Sequence, residues 1–380
     1  MQHAEIAWQR LRNQHIATAA FREPADVVAW LGAVQAQDYP GGLWAVGLRT
    51  RSATQRDVER ALADRTILRT WPMRRTLHFV ASPDARWMLD LLAPRVLAAA
   101  GPRERELELD ERIFARSRKL VVKGLEGGRQ LTRSALYAML EAARISTTGG
   151  RGLHLVSRLA IEGLICFGTR EGKQQTFALL EEWAPASRKL ARDESLAELA
   201  RRYFTSHGPA TWRDFAWWSG LRTADAREAV HLASGHLVKD TVEGIEVWHG
   251  TSSPRAKQQA LSAAYLLPPF DEYTVAYKDR TAALDPKHAP YAQFGGMLSA
   301  TIVVNGQVSG TWKRASVGDG VTVTPTFFGK AATDNARAAL AASERYGRFL
   351  ELPVRVAGQP PPDRSHNARR GPRAVRPRSS

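Results

Sequence analysis

Two glutamines one residue apart, Gln35 and Gln37, interrupt an otherwise apolar stretch. VQAQDYPGG, residues 34 to 42, follows Val27, Val28, Trp30 and Leu31 and precedes LWAVGL. An amide offers a carbonyl acceptor and an N–H2 donor but does not titrate usefully, so such a pair orients water or a polar group and is no proton acceptor. On a helix, positions i and i+2 diverge by about 200° and the amides would face apart. In an extended segment they share a face, roughly 6 to 7 Å apart. Tyr39-Pro40-Gly41-Gly42 favours the extended reading, because a residue before proline is displaced from the helical region and the glycines punctuate the chain. The alternative is a buried polar pair that caps the preceding helix by bonding its orphan carbonyls. Asp38, if the segment is extended, faces away from the pair and reads as structural.

Three other constellations carry reactive groups. TWPMRRTLHFV, residues 70 to 80, sets Trp71, Arg74, Arg75 and His78 in an apolar run. Arginines beside an aromatic suit contacts to phosphate and base; a core strand with a hydrogen-bonded histidine is the alternative. In LLPPFDEYTVAYKDR, residues 266 to 280, Asp271 and Glu272 follow a double proline. Asp271 is the candidate base, or else a turn or cap residue. GLEGGRQLT, residues 124 to 132, lacks the Gly-Lys-Ser/Thr ending of a phosphate loop and reads as a lead into a capped helix. No G-x-S-x-G motif occurs, Cys166 lies in an apolar run, and no lysine is marked as a Schiff-base former. An enzyme built on this chain uses a reaction that needs little beyond an oriented water.

The elements that position these groups follow from capping and periodicity. Glu23-Pro24-Ala25-Asp26 starts a helix expected to run from 24 to about 34. Between 129 and 180, Thr132 caps one helix, a second spans 153 to 162, and strands at 164 to 167 and 176 to 179 are joined by Arg170-Glu171-Gly172-Lys173. Helix, helix and hairpin in that order is the winged-helix layout. It recurs from 194 to 249: a helix to His207, a capping-box-like start at Thr211-Trp212-Arg213-Asp214, helices through Trp218 and over 224 to 234, and strands flanking Glu243-Gly244. Beyond 260 strands prevail, at 265 to 267, 298 to 304, 307 to 312 and 321 to 323, with Asn305-Gly306 as a hairpin turn. A helix covers 333 to 346.

Bulk composition narrows the class. A chain of 380 residues with 44% hydrophobic content builds several cores. One cysteine excludes an internal disulfide, and no Cys or His pair has zinc-ligand spacing, so neither metal nor cofactor is expected. The N-terminus lacks a signal-type apolar region and no apolar run reaches about 18 residues, so a cytoplasmic protein without a membrane span is expected. Net charge is +16; residues 355 to 380 hold seven arginines against Asp363, or +6, which leaves +10 on the body. Such a body fits a polyanion, whose counterions it releases, or is the solvated surface of an arginine-rich protein. The tail from 356 reads as disordered and basic.

VQAQDYPGGLWAVGLR, TWPMRRTLH, GPATWRDFAWWSGL, LLPPFDEY and VSGTWKR, in this order, resemble the AlkZ-like family of bacterial DNA glycosylases, described generically as winged-helix DNA-binding proteins. The resemblance extends to about residue 355. It implies an α+β fold of three tandem winged-helix units, at 1–120, 121–185 and 186–255, with a β-barrel-like element at 256–355 around a cleft for duplex DNA. The first unit is not evident from pattern alone. It also implies that Gln35 and Gln37 are the catalytic pair; the residue types themselves add Trp71, Arg74, Arg75 and His78 as DNA contacts and Asp38 and Asp271 as catalytic or structural acids. The activity implied is monofunctional removal of alkylated purines in base excision repair, including interstrand crosslinks, by a monomer working on the nucleoid. Arg75 departs from the family pattern, which has glycine there. A noncatalytic winged-helix regulator is the alternative from another class; a nuclease or lyase is disfavoured by the absence of a metal cluster or an evident Schiff-base lysine.

Overall fold

The computed structural model of the chain describes residues 3–252, 263–294, 297–329 and 333–357. Residues 358–380, nearly all of the expected basic tail, lie outside them. The helix ahead of the glutamines is Pro24–Leu31, with Pro24 and Asp26 in its first turn as expected. It stops before residue 34 because Gly32, at φ +80°, leaves the helical region and releases the chain into an extended path. Val34–Gln35 then pairs antiparallel with Thr76–Ala81, Val34 opposite Phe79 and Gln35 opposite His78.

The segment after the glutamines corrects the sequence reading. Tyr39–Gly47 is a helix, not a glycine-punctuated turn. Pro40 sits in the first turn, where its missing N–H costs nothing. The glycines serve close packing: a Cβ on Gly41 would lie 2.6 Å from Asp38 Oδ2, and one on Gly42 3.0 Å from Ala36 Cβ.

One six-stranded sheet joins two hairpins that the sequence assigns to separate units. Ile67–Met73 and Thr76–Ala81 form the first hairpin, Ile165–Glu171 and Gln174–Leu179 the second. They meet at Arg69 opposite Phe167, with Val34–Gln35 on one edge and Leu131–Thr132 on the other. The second hairpin follows helices Arg133–Ala142 and Arg151–Ile161; the Thr132 hydroxyl caps the first through the Ala135 N–H. The plan returns with Arg192–His207, Trp212–Ser219, Thr223–Leu232 and the hairpin Leu237–Val242, Ile245–Gly250. Thr211 and Asp214 exchange both bonds of the capping box.

Beyond 263 an open half-barrel sheet runs in the order Val354–Val356, Gly320–Phe327, Gln307–Val317, Thr301–Val304, Ala264–Leu267. Asn305 and Gly306, at φ +50° and +82°, make the expected turn. The strand expected over 298 to 304 is split: Met297–Leu298 pairs with Gln293–Phe294, and the rest joins the large sheet. Helix Thr333–Leu350 packs against that sheet.

Three large cores and a small fourth one, of Ile6, Val242, Val247 and Ala282, hold the described residues of this mixed α+β architecture together, and each crosses the segments drawn from sequence. Trp8, Val28, Trp44, Leu266, Trp312 and Tyr346 share one. Trp87, Tyr203, Trp218 and Tyr277 share the second, and Trp71, Phe114, Phe167 and Phe177 the third. Each buried tryptophan removes some 150–250 Å2 from water, roughly 4 to 6 kcal/mol at about 25 cal/mol per Å2. No helix among the described residues is long and apolar enough to cross a membrane.

Candidate active site

The glutamine segment is fastened at four points. The Gln35 N–H donates to Glu272 Oε1 at 2.8 Å. The Ala36 N–H donates to the Leu77 carbonyl at 2.7 Å. The Ala36 carbonyl accepts from Arg69 Nη2 at 2.8 Å and Nε at 3.2 Å. Gln37 Oε1 accepts from the Leu77 N–H at 3.1 Å. In a regular antiparallel pair Ala36 and Leu77 would exchange both backbone bonds. Here the carbonyl turns to a guanidinium, and the Gln37 side chain takes its place in the ladder. Gln35 is 5% exposed and forms a floor, whereas Gln37 is exposed at the rim. Among the described residues no hydrogen bond engages the Gln37 N–H2.

The floor is charged and buried. His78, opposite Gln35, is fully buried; its Nδ1 donates to the Thr76 carbonyl at 2.9 Å, which leaves Nε2 as acceptor, 3.4 Å from Arg74 Nη2. Burial first, and then the Arg74 cation, bring its pKa down to about 4, so the ring is neutral at pH 7. Glu272 is also fully buried, its Oε2 accepting from Trp218 Nε1 at 2.9 Å and lying 3.6 Å from His207 Nε2. Burial alone pushes this carboxyl up; His207, His78 and the Gln35 N–H outweigh it and hold the group below the usual range, as the anion. Burial lowers Arg74, and the Glu272 charge restores part of its basicity.

Arg74 and Arg75 are the two central residues of the first hairpin's turn, at φ +52° and +60°. A two-residue turn with both residues left-handed suits glycine, asparagine or aspartate. Arginine at the Arg75 position stands in a conformation costing about 1 kcal/mol. Arg75 Nη2 lies 3.3 Å from His154 Nδ1, and Arg74 Nη2 3.4 Å from Gln35 Oε1. Across from them Trp217 is 44% exposed, its indole N–H held by the Val275 carbonyl at 3.1 Å and the Arg280 guanidinium 6.0 Å from its ring. The rim is therefore cationic, with one fixed aromatic.

Several residues singled out from sequence have other tasks. Trp71 is 6% exposed and packs on Phe167, ring centres 5.0 Å apart. Neither Trp71 nor His78 presents a surface to DNA; both are core residues, because the two strands of the first hairpin that carry them are buried on both faces. Asp271 is closed off: both its oxygens accept from Arg49 at 2.9 Å and one also from the Tyr273 N–H, at zero side-chain exposure, so it caps and neutralises and no substrate can reach it as a base. Asp38, at the start of helix Tyr39–Gly47, lies 3.5 Å from Arg314. The glycines of 124–132 do bind an anion with their N–H groups, but it is the carboxylate of Glu182. Burial pushes the Cys166 thiol far up, which removes it as a nucleophile.

Sequence reasoning missed Arg69, Arg49, His207 and the role of Glu272. Arg69 sits in a run of strand residues with no motif around it. Glu272 is the neighbour of the residue that was chosen, and nothing in a linear pattern says which of two adjacent acids faces the glutamines.

A pinned polar strand edge over a buried anion, with a cationic rim, is the kind of site that acts on nucleic acid. Over residues 28–349 the chain matches the family described as DNA glycosylase AlkZ-like, and it belongs to that family. A curated relative, an interstrand DNA cross-link repair glycosylase of Streptomyces sahachiroi, is 28% identical over 337 residues, 81% of this chain and 86% of the relative. The solved structure of the Streptomyces sahachiroi DNA glycosylase AlkZ matches with a TM-score of 0.79 at 25% identity, over 94% of this chain and 99% of that one.

Proposed function

We propose that this protein is a monofunctional glycosylase that hydrolyses the N-glycosidic bond of N7- or N3-alkylated purines in duplex DNA, with Gln35 and Gln37 as the catalytic pair. The observation that carries the reading is the four-point fastening of the Gln-Ala-Gln segment between a buried carboxylate and an exposed rim. Alkylation makes the purine a cation, so it leaves C1′ with the bond's electron pair as a neutral base. The sugar moves toward an oxocarbenium ion, water adds at C1′, and its proton passes to solvent. Strong acid catalysis is unnecessary. What the protein supplies is a held water and a polar environment that favours the cation, both within reach of amides fixed before substrate arrives.

The rim supports the substrate class. Arg74 and Arg75 at the hairpin tip suit phosphates, and the two helix-helix-hairpin segments together with the first hairpin support three winged-helix units around the duplex. Gln37 lies at the surface, so a lesion can be approached through the groove without the full extrusion of the base that other glycosylases require. That is compatible with crosslinked bases, which cannot swing freely, and the cross-link repair relative supports including them. The reading puts the enzyme in the cytoplasm, on the chromosome.

The test is base release from a duplex with a single N7-methylguanine, scored by alkaline cleavage, for the wild type, Gln35→Ala and Gln37→Ala. Release that falls by about 10²-fold or more in each variant while DNA affinity is kept is the expected result. No release by the wild type, from this lesion or from a crosslinked N7 adduct, would leave a noncatalytic DNA-binding regulator as the better account.

A further inference from the structure

Gln35 lies in an edge strand, and its N–H points away from the partner strand toward where a further strand would pair. No strand takes it. The acceptor is Glu272 Oε1, from a residue 237 positions later. The chain treats its two adjacent acids differently. Asp271 is neutralised by the bidentate Arg49, whereas Glu272 has no Arg or Lys ion pair among the described residues and is surrounded by an indole N–H, a peptide N–H and an imidazole.

His207 is no counter-ion for that charge. Its Nδ1 lies 2.8 Å from the Ser206 hydroxyl, and its Nε2 stands 3.6 Å from Glu272 Oε2, beyond a hydrogen bond. Burial lowers the His207 imidazole, which keeps it neutral. The other titratable groups around Glu272 are the neutral His78, the Tyr203 and Tyr277 phenols, and the half-buried Arg74. A buried carboxylate with no cation in ion-pair contact is costly to keep, which points to a use for its charge.

We propose that Glu272 is a positioning residue for base excision: it fixes the Gln35 peptide and directs a negative potential through it to the cation that forms at C1′. The inference rests on the glycosylase reading above and extends it to a residue that does not touch substrate. The carboxylate cannot reach the sugar. It acts by holding Gln35 against the free edge and by offsetting Arg74, whose charge beside Gln35 opposes a sugar cation.

Glu272→Gln tests this by single-turnover release from the N7-methylguanine duplex. The glutamine keeps a carbonyl for the Gln35 N–H and loses the charge. The expected result is a rate constant lower by roughly 10²-fold with DNA affinity unchanged, and a comparable drop when the change is made in Gln35→Ala, which keeps the peptide N–H that Glu272 holds. An unchanged rate, or a loss confined to DNA affinity, would overturn the proposal. If Glu272→Gln does not fold, Trp218→Phe takes its place: removing the indole N–H destabilises the carboxylate, and the acid limb of the rate profile is expected to move to higher pH. A limb that stays in place overturns the proposal too. Wild-type release, measured first, separates this outcome from failure of the glycosylase reading, with which the proposal would also fall.

Discussion

Asp271→Asn separates a structural acid from a catalytic one. Asp271 and Arg49 are both at zero exposure, joined by two bonds of 2.9 Å, and Arg49 also donates to the Gln14 carbonyl, the Gln14 amide oxygen and the Ala45 carbonyl. Asparagine preserves the volume and one acceptor, which at the Oδ1 position keeps the Tyr273 N–H and one guanidinium N–H. Its N–H2 then meets a second guanidinium donor, and the buried cation loses its counter-charge. Breaking a buried pair on one side costs about 3–5 kcal/mol. Unfolding entropy near 2.1 cal/mol/K per residue comes to about 0.8 kcal/mol/K for a chain of this length, so the midpoint should fall by roughly 4 to 6 °C. The assay pairs calorimetry with single-turnover base release at 20 °C, where both proteins stay folded. A lower midpoint with release within about 3-fold of wild type is expected. An unchanged midpoint with release abolished would refute the structural assignment and make Asp271 the base.

Two further perturbations follow from the same hairpin. Arg75→Gly should stabilise the protein by about 1 kcal/mol, since the position is already left-handed, while reducing the salt dependence of DNA binding by about one phosphate contact; a destabilised Gly variant, in a melting experiment, would count against the turn geometry. His78 has a folded-state pKa of about 4 against 6.5 when unfolded, so the unfolded chain binds the extra proton first. Its contribution is fully present above pH 6.5 and is lost as pH falls toward 4, about 3 kcal/mol in all. Midpoints measured across that window should decline in wild type and decline less in His78→Gln.

Much of the local structure was legible because caps and turns act over a few residues. Thr132, Thr211 with Asp214, Pro24 and Asn305-Gly306 each satisfy or redirect backbone groups next to them, and each does what its type suggests. The extended path through Gln35 was likewise readable. Gly41 and Gly42 misled, because a glycine required by a neighbour's approach looks the same in sequence as one required by a turn. The burial of Trp71 and His78 was one of two readings and could not be chosen locally, since it depends on Phe167 from the other hairpin. Arg69 and Glu272 were invisible for the same reason: one crosses a strand to bond a carbonyl, the other arrives from a distant helix.

That distance has a consequence for how the protein is made. Helix His3–Asn13 is held by Arg10 and Asn13 bonding the carbonyls of Pro209 and Gly208, and the Tyr273 hydroxyl bonds the carbonyls of Ala7 and Gly306. Arg10, Asn13 and Ala7 thus leave the ribosome 195 to 266 positions ahead of the residues that bond them. At about 5–20 residues per second that is a delay on the order of 10 to 50 s, during which those bonds are unmade. A nascent chain that stops short of residue 272 holds both glutamines yet leaves the Gln35 N–H unmatched. The motif therefore matures only after Glu272 has left the ribosome, and a chain truncated before that residue should be cut by proteases faster than the full chain.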